Sequence, residues 1–255
     1  LEHWRKTGQP LSFVIPTGNL GNGFACVWAR RLGLPIDRIV LATNANTPIE
    51  DFLATGQWLP RPSIATLASA MDVGNPSNME RLRQLCGDIA SLREEVSAMA
   101  VSDAEIRSSL RDEFSRHGLA WCPHTATGLH VYRGLSEAER RQRHWAVVAT
   151  AHAAKFDTIV EPLLGCDIPP PAELAALLAL ARQDTAAARK LLATPDSARK
   201  FYPGWRPLYA QAQFLLGDYG GTIETLRLYD TDQFLTRGFD ARWAPIGRVR
   251  RLRAA

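Results

Sequence analysis

A glycine-rich turn near the start of the chain carries the clearest chemical signal in the sequence. The residues Thr17-Gly18-Asn19-Leu20-Gly21-Asn22 follow a short apolar run at 11–15 and precede a helical pattern at 24–32. Glycine lets the backbone approach an anion closely, and the free N–H groups of a helix N-terminus attract negative charge. The turn therefore predicts a phosphate cradle, although an ordinary connection between a strand and a helix would have the same spacing. It lacks the Gly-Lys-Ser/Thr of a nucleotide-binding P-loop.

Polar side chains further along the chain could bind a second anion or transfer protons. A guanidinium such as that of Arg81 suits a phosphate or a carboxylate, and it could equally lie on a helix surface. The imidazole of His152 could shuttle protons or be structural, whereas we interpret His124 as structural. The candidate substrate-binding residues are Ser77, Asn78, Arg81, His152 and Lys155.

Five blocks of the sequence, in order and spacing, resemble threonine synthases. The resemblance covers residues 1–182, and it is specific because related pyridoxal-phosphate enzymes of the β family keep a glycine-rich cradle but lack the other blocks. It implies the C-terminal portion of a fold type II enzyme, similar to the tryptophan synthase β family. The blocks are PTGNLGN at 16–22, ATNAN at 42–46, ATLASAMDVGNPSNMER at 65–81, PHTATG at 123–128 and ATAHAAKF at 149–156.

The resemblance also implies a cofactor and a reaction. Threonine synthases use pyridoxal 5′-phosphate (PLP) as an electron sink to convert O-phospho-L-homoserine and water into L-threonine and phosphate. By this resemblance, Thr150 would hydrogen-bond the pyridine nitrogen of PLP, and a neutral hydroxyl there would leave that nitrogen largely unprotonated. The implied residues of the phosphate cradle are Gly18, Asn19, Leu20, Gly21 and Asn22.

The Schiff-base lysine of the family has no counterpart in this chain. In the family it lies in an upstream Phe-Lys-Asp segment, whereas the lysines here are Lys6, Lys155, Lys190 and Lys200. We therefore assign no catalytic residue and predict that this polypeptide alone is inactive. Because the chain also lacks an initiator methionine, we expect it to be a fragment. Ala153 replaces a proline that the family usually has, which removes no chemical group.

Two other functions stay open at this point. One is a different PLP-dependent lyase or dehydratase of the β family, against which the blocks at 65–81 and 149–156 argue. The other is a non-catalytic helical module whose C-terminal helices bind a protein partner.

The secondary-structure signals predict an α/β fold with an open, mostly parallel sheet and flanking helices. Strands at 11–15 and 38–43, joined by the helix at 24–32, form a βαβ unit, which requires parallel strands. Ser102 and Glu105 form a capping box at the start of a helix that we expect to end at Gly118. We further predict helices at 49–54, 78–85, 89–99, 125–134, 156–164 and 172–181, and a strand at 145–150.

The region 183–255 does not match the family and is predicted to be a helical extension. Its helix–turn–helix pattern resembles a single tetratricopeptide unit, and the region could also be a fusion. We predict that Trp205, Phe214, Tyr219 and Trp243 are core residues of helical hairpins. Residues 182–255 carry 13 of the 30 Lys/Arg and 7 of the 26 Asp/Glu. This basic stretch has no nucleic-acid motif, so we interpret it as a solvated surface.

Composition excludes several other classes of protein. With 46% hydrophobic and 22% charged residues, the 255-residue chain can bury a core and is not of the disordered type. Its four cysteines are scattered and have no zinc-ligand spacing, which favours a reducing compartment such as the cytoplasm. No apolar run is long enough to predict a membrane span.

Overall fold

The computed structural model describes residues 1–193 and 206–229, and the contacts divide the chain into two units. The N-terminal unit extends to Ile168, and the C-terminal unit begins at Pro169. This division lies before residue 182, because the helix Ala172–Ala181 packs against helices that follow it.

The N-terminal unit is built on a four-stranded sheet. Its strands are β1 (Leu11–Pro16), β2 (Ile36–Thr43), β3 (Ser97–Ala100) and β4 (His144–Val147). They lie in the order β3-β2-β1-β4, and every neighbouring pair is parallel. The predicted open parallel sheet with flanking helices is confirmed.

Helices connect the strands and cover both faces of the sheet. The structure confirms the capping box at Ser102, and Gly118 ends the same helix in a left-handed conformation. The helices up to Ile168 are α1 (Glu2–Thr7), α2 (Gly21–Arg31), α3 (Pro48–Thr55), α4 (Met79–Cys86), α5 (Ile89–Glu95), α6 (Asp103–His117), α7 (Pro123–Gly134), α8 (Glu137–Gln142) and α9 (Asp157–Leu164), with short 3-10 turns at Ser69–Met71 and Ala153–Phe156.

The two faces of the sheet bury two separate apolar clusters. Side chains alternate along a strand, so Val14 and Ile15 point to opposite faces. Ile15 joins a cluster with residues of α2, α3 and α4, whereas Val14 joins one with residues of α6 and α7. Because both faces are covered, the central strands are apolar at consecutive positions, as expected for a parallel sheet. Each fully buried aliphatic side chain contributes about 1.5–3 kcal/mol.

Two predicted elements were wrong at their ends. The helix predicted at 89–99 stops at Glu95, Val96 is extended, and the next residues form β3 against β2. Pairing with the open edge of β2 outweighs the helix propensity of this Ala- and Met-containing segment. The strand predicted at 145–150 ends at Val147, so Thr150 lies in the following loop. Val148 N–H still donates to Val14 O, but Pro16 has no N–H to continue the ladder.

The described part of the C-terminal unit contains α10 (Ala172–Ala181), α11 (Thr185–Ala193), α12 (Arg206–Leu215) and α13 (Tyr219–Tyr229). Buried alanines, including Ala176, Ala188 and Ala212, lie where these helices contact one another. The core prediction was wrong for Phe214 and Tyr219, which are exposed and stack edge-to-face on each other at 5.5 Å. Trp205 and Trp243 lie outside the described residues, as does most of the predicted extension. Among the residues that the structure describes, no helix is long and apolar enough to cross a membrane.

Candidate active site

A pocket of about 350 Å³ opens beside the carboxyl ends of β1 and β4. Open parallel sheets bind ligands at this edge, and the volume lies within the usual range for small-molecule sites. The pocket brings together the glycine-rich turn, Thr150 and Lys155, which are far apart in the sequence. It is lined by Pro16, Thr17, Gly18, Asn19, Leu20, Gly21, Asn22, Ala70, Met71, His124, Thr150, Ala151, Lys155 and Phe156.

The glycine-rich turn ends in a helix N-terminus that no side chain caps. Thr17 N–H donates to Ala42 O at 2.8 Å, which ties the start of the turn to β2. Leu20 adopts a left-handed backbone (φ 62°) that is uncommon for a residue with a side chain, and its own side chain is buried at 1% exposure. Burial of Leu20 therefore holds the strained turn in place. Helix α2 then begins at Gly21 with no acidic residue in its first turn, so its free N–H groups can donate hydrogen bonds to an anion.

One side of the turn lies directly against the block at 65–81. A Cβ added to Gly18 would lie 2.7 Å from Met71 Cα, so no other residue fits without moving the backbone. At Gly21, by contrast, an added Cβ would have no atom within 4 Å. Gly18 is needed for close packing, whereas Gly21 has no such neighbour and lines the pocket.

A buried amide network holds the Met71 segment in place. Asn44, fully buried after the end of β2, donates to Thr66 Oγ1 at 2.8 Å and to Asp72 Oδ1 at 2.7 Å. Asn46 exchanges two hydrogen bonds with the backbone of Ile64. The block at 42–46 therefore holds the block at 65–81 against the turn.

Ser77 and Asn78 contact the turn, Arg81 contacts Asn78, and none of the three lines the pocket. Asn19 Oδ1 accepts hydrogen bonds from Ser77 N–H and Oγ, at 2.5 and 2.9 Å. Asn78 Nδ2 donates to Asn19 O at 2.7 Å, and Arg81 donates to Asn78 Oδ1 at 3.1 Å. The structure therefore places this group as a support for Asn19.

At the other end of the pocket, Thr150 belongs to a triangle of side chains. Its Oγ1 lies 3.2 Å from Thr125 Oγ1 and 3.3 Å from Cys122 Sγ, and the last two atoms are 3.3 Å apart. Thr150 N–H also donates to Thr125 Oγ1 at 3.1 Å. Thr125 and Cys122 were missed from the sequence. The available signal was Cys122-Pro123, a side-chain cap followed by proline in the first turn of a helix.

Cys122 has an unusual electrostatic environment. Burial raises the pKa of its thiol, but the interactions with His124, Thr125 and Thr150 outweigh burial and lower that pKa to about 6. His124 is buried, and its Nε2 accepts the Ala70 N–H at 2.9 Å, so its proton is on Nδ1. His124 Nδ1 has no hydrogen-bond partner, and the His124 side chain is the largest of the influences that lower the pKa of the Cys122 thiol. His124 also lines the pocket, so its structural role stays a prediction.

Lys155 and His152 differ in their relation to the pocket. Lys155 lines it, with its Nζ 5.9 Å from the centre of the Phe156 ring. His152 lies outside the wall and caps the 3-10 turn, where its Nδ1 accepts Ala154 N–H at 3.2 Å. Of the candidate substrate-binding residues, only Lys155 therefore faces the pocket.

The residues present fit a phosphorylated aromatic cofactor such as PLP. The uncapped helix N-terminus with open space at Gly21 suits a phosphate, and the Thr150 hydroxyl suits a ring heteroatom. Met71 and Phe156 add apolar surface to the same pocket. Within the described residues, no group of three or more His, Cys, Asp or Glu could hold a metal ion. All four cysteines are free thiols.

Two protein families match the sequence. The family described as pyridoxal-phosphate dependent enzyme matches residues 1–151, and the family described as threonine synthase, C-terminal, matches residues 125–194. The second match extends past residue 182, where the resemblance was predicted to end.

Individual relatives agree with the family matches. Threonine synthases of Serratia marcescens and Escherichia coli are each 36% identical over 171 residues, covering 67% of this chain and 39% of the relative. The PLP-bound threonine synthase of Brucella melitensis superposes with a TM-score of 0.61 at 30% identity, over 68% of this chain and 42% of that one. The Escherichia coli structure gives a TM-score of 0.59 at 34% identity, over 67% and 39%. The chain thus spans about two fifths of the length of the curated relatives it matches.

Proposed function

This chain belongs to the pyridoxal-phosphate-dependent enzymes, and we propose that it forms the cofactor-binding portion of a threonine synthase. The reaction would convert O-phospho-L-homoserine and water into L-threonine and phosphate. One observation carries the proposal: a single pocket joins the glycine-rich turn to Thr150. The relatives at 36% identity are threonine synthases, which supports this choice over other lyases or dehydratases of the β family.

The residues of the turn would hold the cofactor phosphate by their backbone. Gly18 lets the turn close against Met71, Asn19 is braced by Ser77 and Asn78, and the first N–H groups of α2 supply the donors. The Thr150 hydroxyl would meet the ring nitrogen. When bound, the cofactor supplies an electron sink for reactions at the substrate α- and β-carbons.

Lys155 would bind the negatively charged substrate. Among the described residues that line the pocket, Lys155 carries the ammonium group, and a flexible ammonium can follow a phosphate as a point charge. The other predicted substrate contacts stay predictions and lie outside the pocket wall; they are Ser77, Asn78, Arg81 and His152. The four free thiols favour the cytoplasm as the compartment, and a protein partner for the C-terminal helices stays a prediction.

Binding of two cofactor analogues tests the site without any need for a lysine. The analogues are 4-deoxypyridoxine 5′-phosphate, which has no aldehyde, and 4-deoxypyridoxine, which also has no phosphate. We expect calorimetry to show at least about tenfold tighter binding of the phosphorylated analogue, because charge-assisted hydrogen bonds contribute about 1.5–3 kcal/mol. Equal affinities would contradict the phosphate cradle.

The chain should bind PLP without attaching it covalently to a lysine. We expect borohydride treatment of the PLP-loaded chain, followed by peptide mapping, to label no lysine stoichiometrically, because the family's lysine position is absent. Stoichiometric labelling of Lys155 would overturn this expectation. It would also show that the pocket can anchor the aldehyde.

Substrate choice can be tested by measuring how tightly O-phospho-L-homoserine and L-serine each bind to the chain without a cofactor analogue. We expect Lys155→Gln to weaken binding of O-phospho-L-homoserine about fivefold or more, because an ionic contact is lost, and to leave L-serine binding unchanged. Lys6→Gln is the control, since Lys6 lies on α1 away from the pocket wall. Stronger binding of L-serine than of the phosphorylated substrate would favour a dehydratase instead.

A further inference from the structure

The imidazole of His124 lies where three segments of the pocket wall meet. His124 is in the first turn of α7, is 4% exposed and lines the pocket. Its Nε2 accepts a hydrogen bond from Ala70 N–H at 2.9 Å, within the 3-10 turn Ser69–Met71. The centre of its ring lies 4.9 Å from that of Phe156, at the end of the other 3-10 turn. One side chain of α7 therefore contacts both 3-10 turns.

The segment that His124 contacts through Ala70 packs directly against the glycine-rich turn. A Cβ added to Gly18 would lie 2.7 Å from Met71 Cα and 3.1 Å from Ala70 O. Asn44 holds the far end of this segment by donating to Asp72 Oδ1 at 2.7 Å. The hydrogen bond to the imidazole holds the segment at a residue that itself contacts the turn. A shift of Ala70 would therefore change the position of Gly18.

The two ring nitrogens of His124 are not available to a ligand. Nε2 accepts the Ala70 N–H, and Nδ1 is buried without a hydrogen-bond partner. Neither nitrogen can therefore exchange a proton with a molecule in the pocket, which argues against a proton shuttle. Ala70 is exposed, so without this acceptor its N–H would pair with water. The segment would then lose its connection to α7.

We propose that His124 is a positioning residue for the phosphate cradle, because its Nε2 holds the Ala70–Met71 backbone against Gly18. The inference rests on the proposed cofactor site and adds a residue to which the family matches assign no role. His124 belongs to the same helix as Thr125, which contacts Thr150 at the other end of the pocket. Its hydrogen bond nevertheless acts at the phosphate end, so its loss should weaken the binding of a phosphorylated ligand selectively.

A pair of variants isolates the hydrogen bond from the ring. His124→Gln and His124→Met have side chains of equal length and both lose the contact with Phe156. The glutamine amide oxygen can accept the Ala70 N–H, whereas the terminal methyl group of methionine cannot. By calorimetry, we expect His124→Met to bind 4-deoxypyridoxine 5′-phosphate about fivefold more weakly than His124→Gln does, the effect of one hydrogen bond. The two variants should bind 4-deoxypyridoxine equally.

The matched control is the pair His117→Gln and His117→Met. The His117 side chain is 50% exposed and lies outside the pocket wall, so these two variants should bind the phosphorylated analogue equally. Equal binding of that analogue by the two His124 variants would overturn the proposal and leave the cofactor site standing. A difference of the same size for both analogues would also overturn it, because the role would then not be specific to the phosphate.

The wild-type chain provides a second test that does not depend on the folding of a variant. We expect the Ala70 amide to exchange its hydrogen more slowly with bound 4-deoxypyridoxine 5′-phosphate than with saturating 4-deoxypyridoxine, because an occupied cradle steadies the segment. Equal exchange rates would overturn the positioning role. If the wild-type chain binds the phosphorylated analogue no more tightly than the other, the proposed cradle is wrong, and the role of His124 fails with it.

Discussion

One end of the pocket is formed by backbone groups and the other by side chains. The end at Gly18 is backbone from one continuous turn, with its N–H groups supplied by the start of α2. The end at Thr150 is a triangle of side chains, and Cys122 and Thr150 are 28 residues apart in the sequence. A backbone site depends on conformation, which glycine and a buried anchor set locally. A side-chain site depends on which segments the fold brings together.

The turn at Gly18 nevertheless depends on side chains from distant parts of the sequence to hold its position. Gly18 lies against Met71, and the Asn44 network holds the Met71 segment. The triangle at Thr150 depends on α7 and the loop after β4. Variants should therefore affect one end without the other, and three of them test this separation.

Gly18→Ala should have the largest effect, and only at the phosphate end. The new Cβ would meet Met71 Cα at 2.7 Å, so the turn or the Met71 segment must move. We expect the affinity for 4-deoxypyridoxine 5′-phosphate to fall about a hundredfold, which corresponds to about 3 kcal/mol of overpacking. Gly134→Ala is the control, because a Cβ there has no atom within 4 Å. Unchanged affinity in Gly18→Ala would show that the close approach is not needed.

Asn44→Ala should reduce stability without changing the thiol of Cys122. Loss of the buried amide removes one of the donors to Asp72 Oδ1 together with the hydrogen bond to Thr66 Oγ1, and we expect the free energy of unfolding in urea to fall by about 2 kcal/mol. Asn75→Ala, an exposed change in the same block, should have little effect. A shifted thiolate titration in Asn44→Ala would mean that the two ends are not separate.

Thr150→Val should have the smallest effect, at the ring end. Valine keeps the shape and removes the hydroxyl, so we expect a five- to tenfold loss of affinity for both analogues, about 1 kcal/mol. Thr150→Ser should restore most of the loss. Thr158→Val, an exposed change on α9, is the control. A loss confined to the phosphorylated analogue would place Thr150 at the wrong end of the pocket.

The sequence patterns predicted which helices and strands form better than they predicted the residues at which those elements end. The βαβ unit and the capping box at Ser102 follow from signals that lie within a few residues of each other. The wrong ends of the elements at 89–99 and 145–150 share one cause. Ser97 becomes a strand residue because β2 has a free edge, and the strand before Thr150 stops where Pro16 cannot donate. Neither the edge of β2 nor Pro16 lies close in the sequence to the segment whose end it determines.

The sequence by itself determined the glycine-rich turn, the order of the five blocks and the lack of a Phe-Lys-Asp segment, because these depend on residue type and local backbone preference. The fold was needed to show that Ser77 and Asn78 hydrogen-bond Asn19 outside the pocket wall, with Arg81 on Asn78. It was also needed to show that Cys122 Sγ lies 3.3 Å from Thr150 Oγ1. Hydrogen bonds between distant segments exist only after the sheet has brought those segments together. The contact between Cys122 and Thr150 therefore could not be read from the Cys122-Pro123 pair in the sequence.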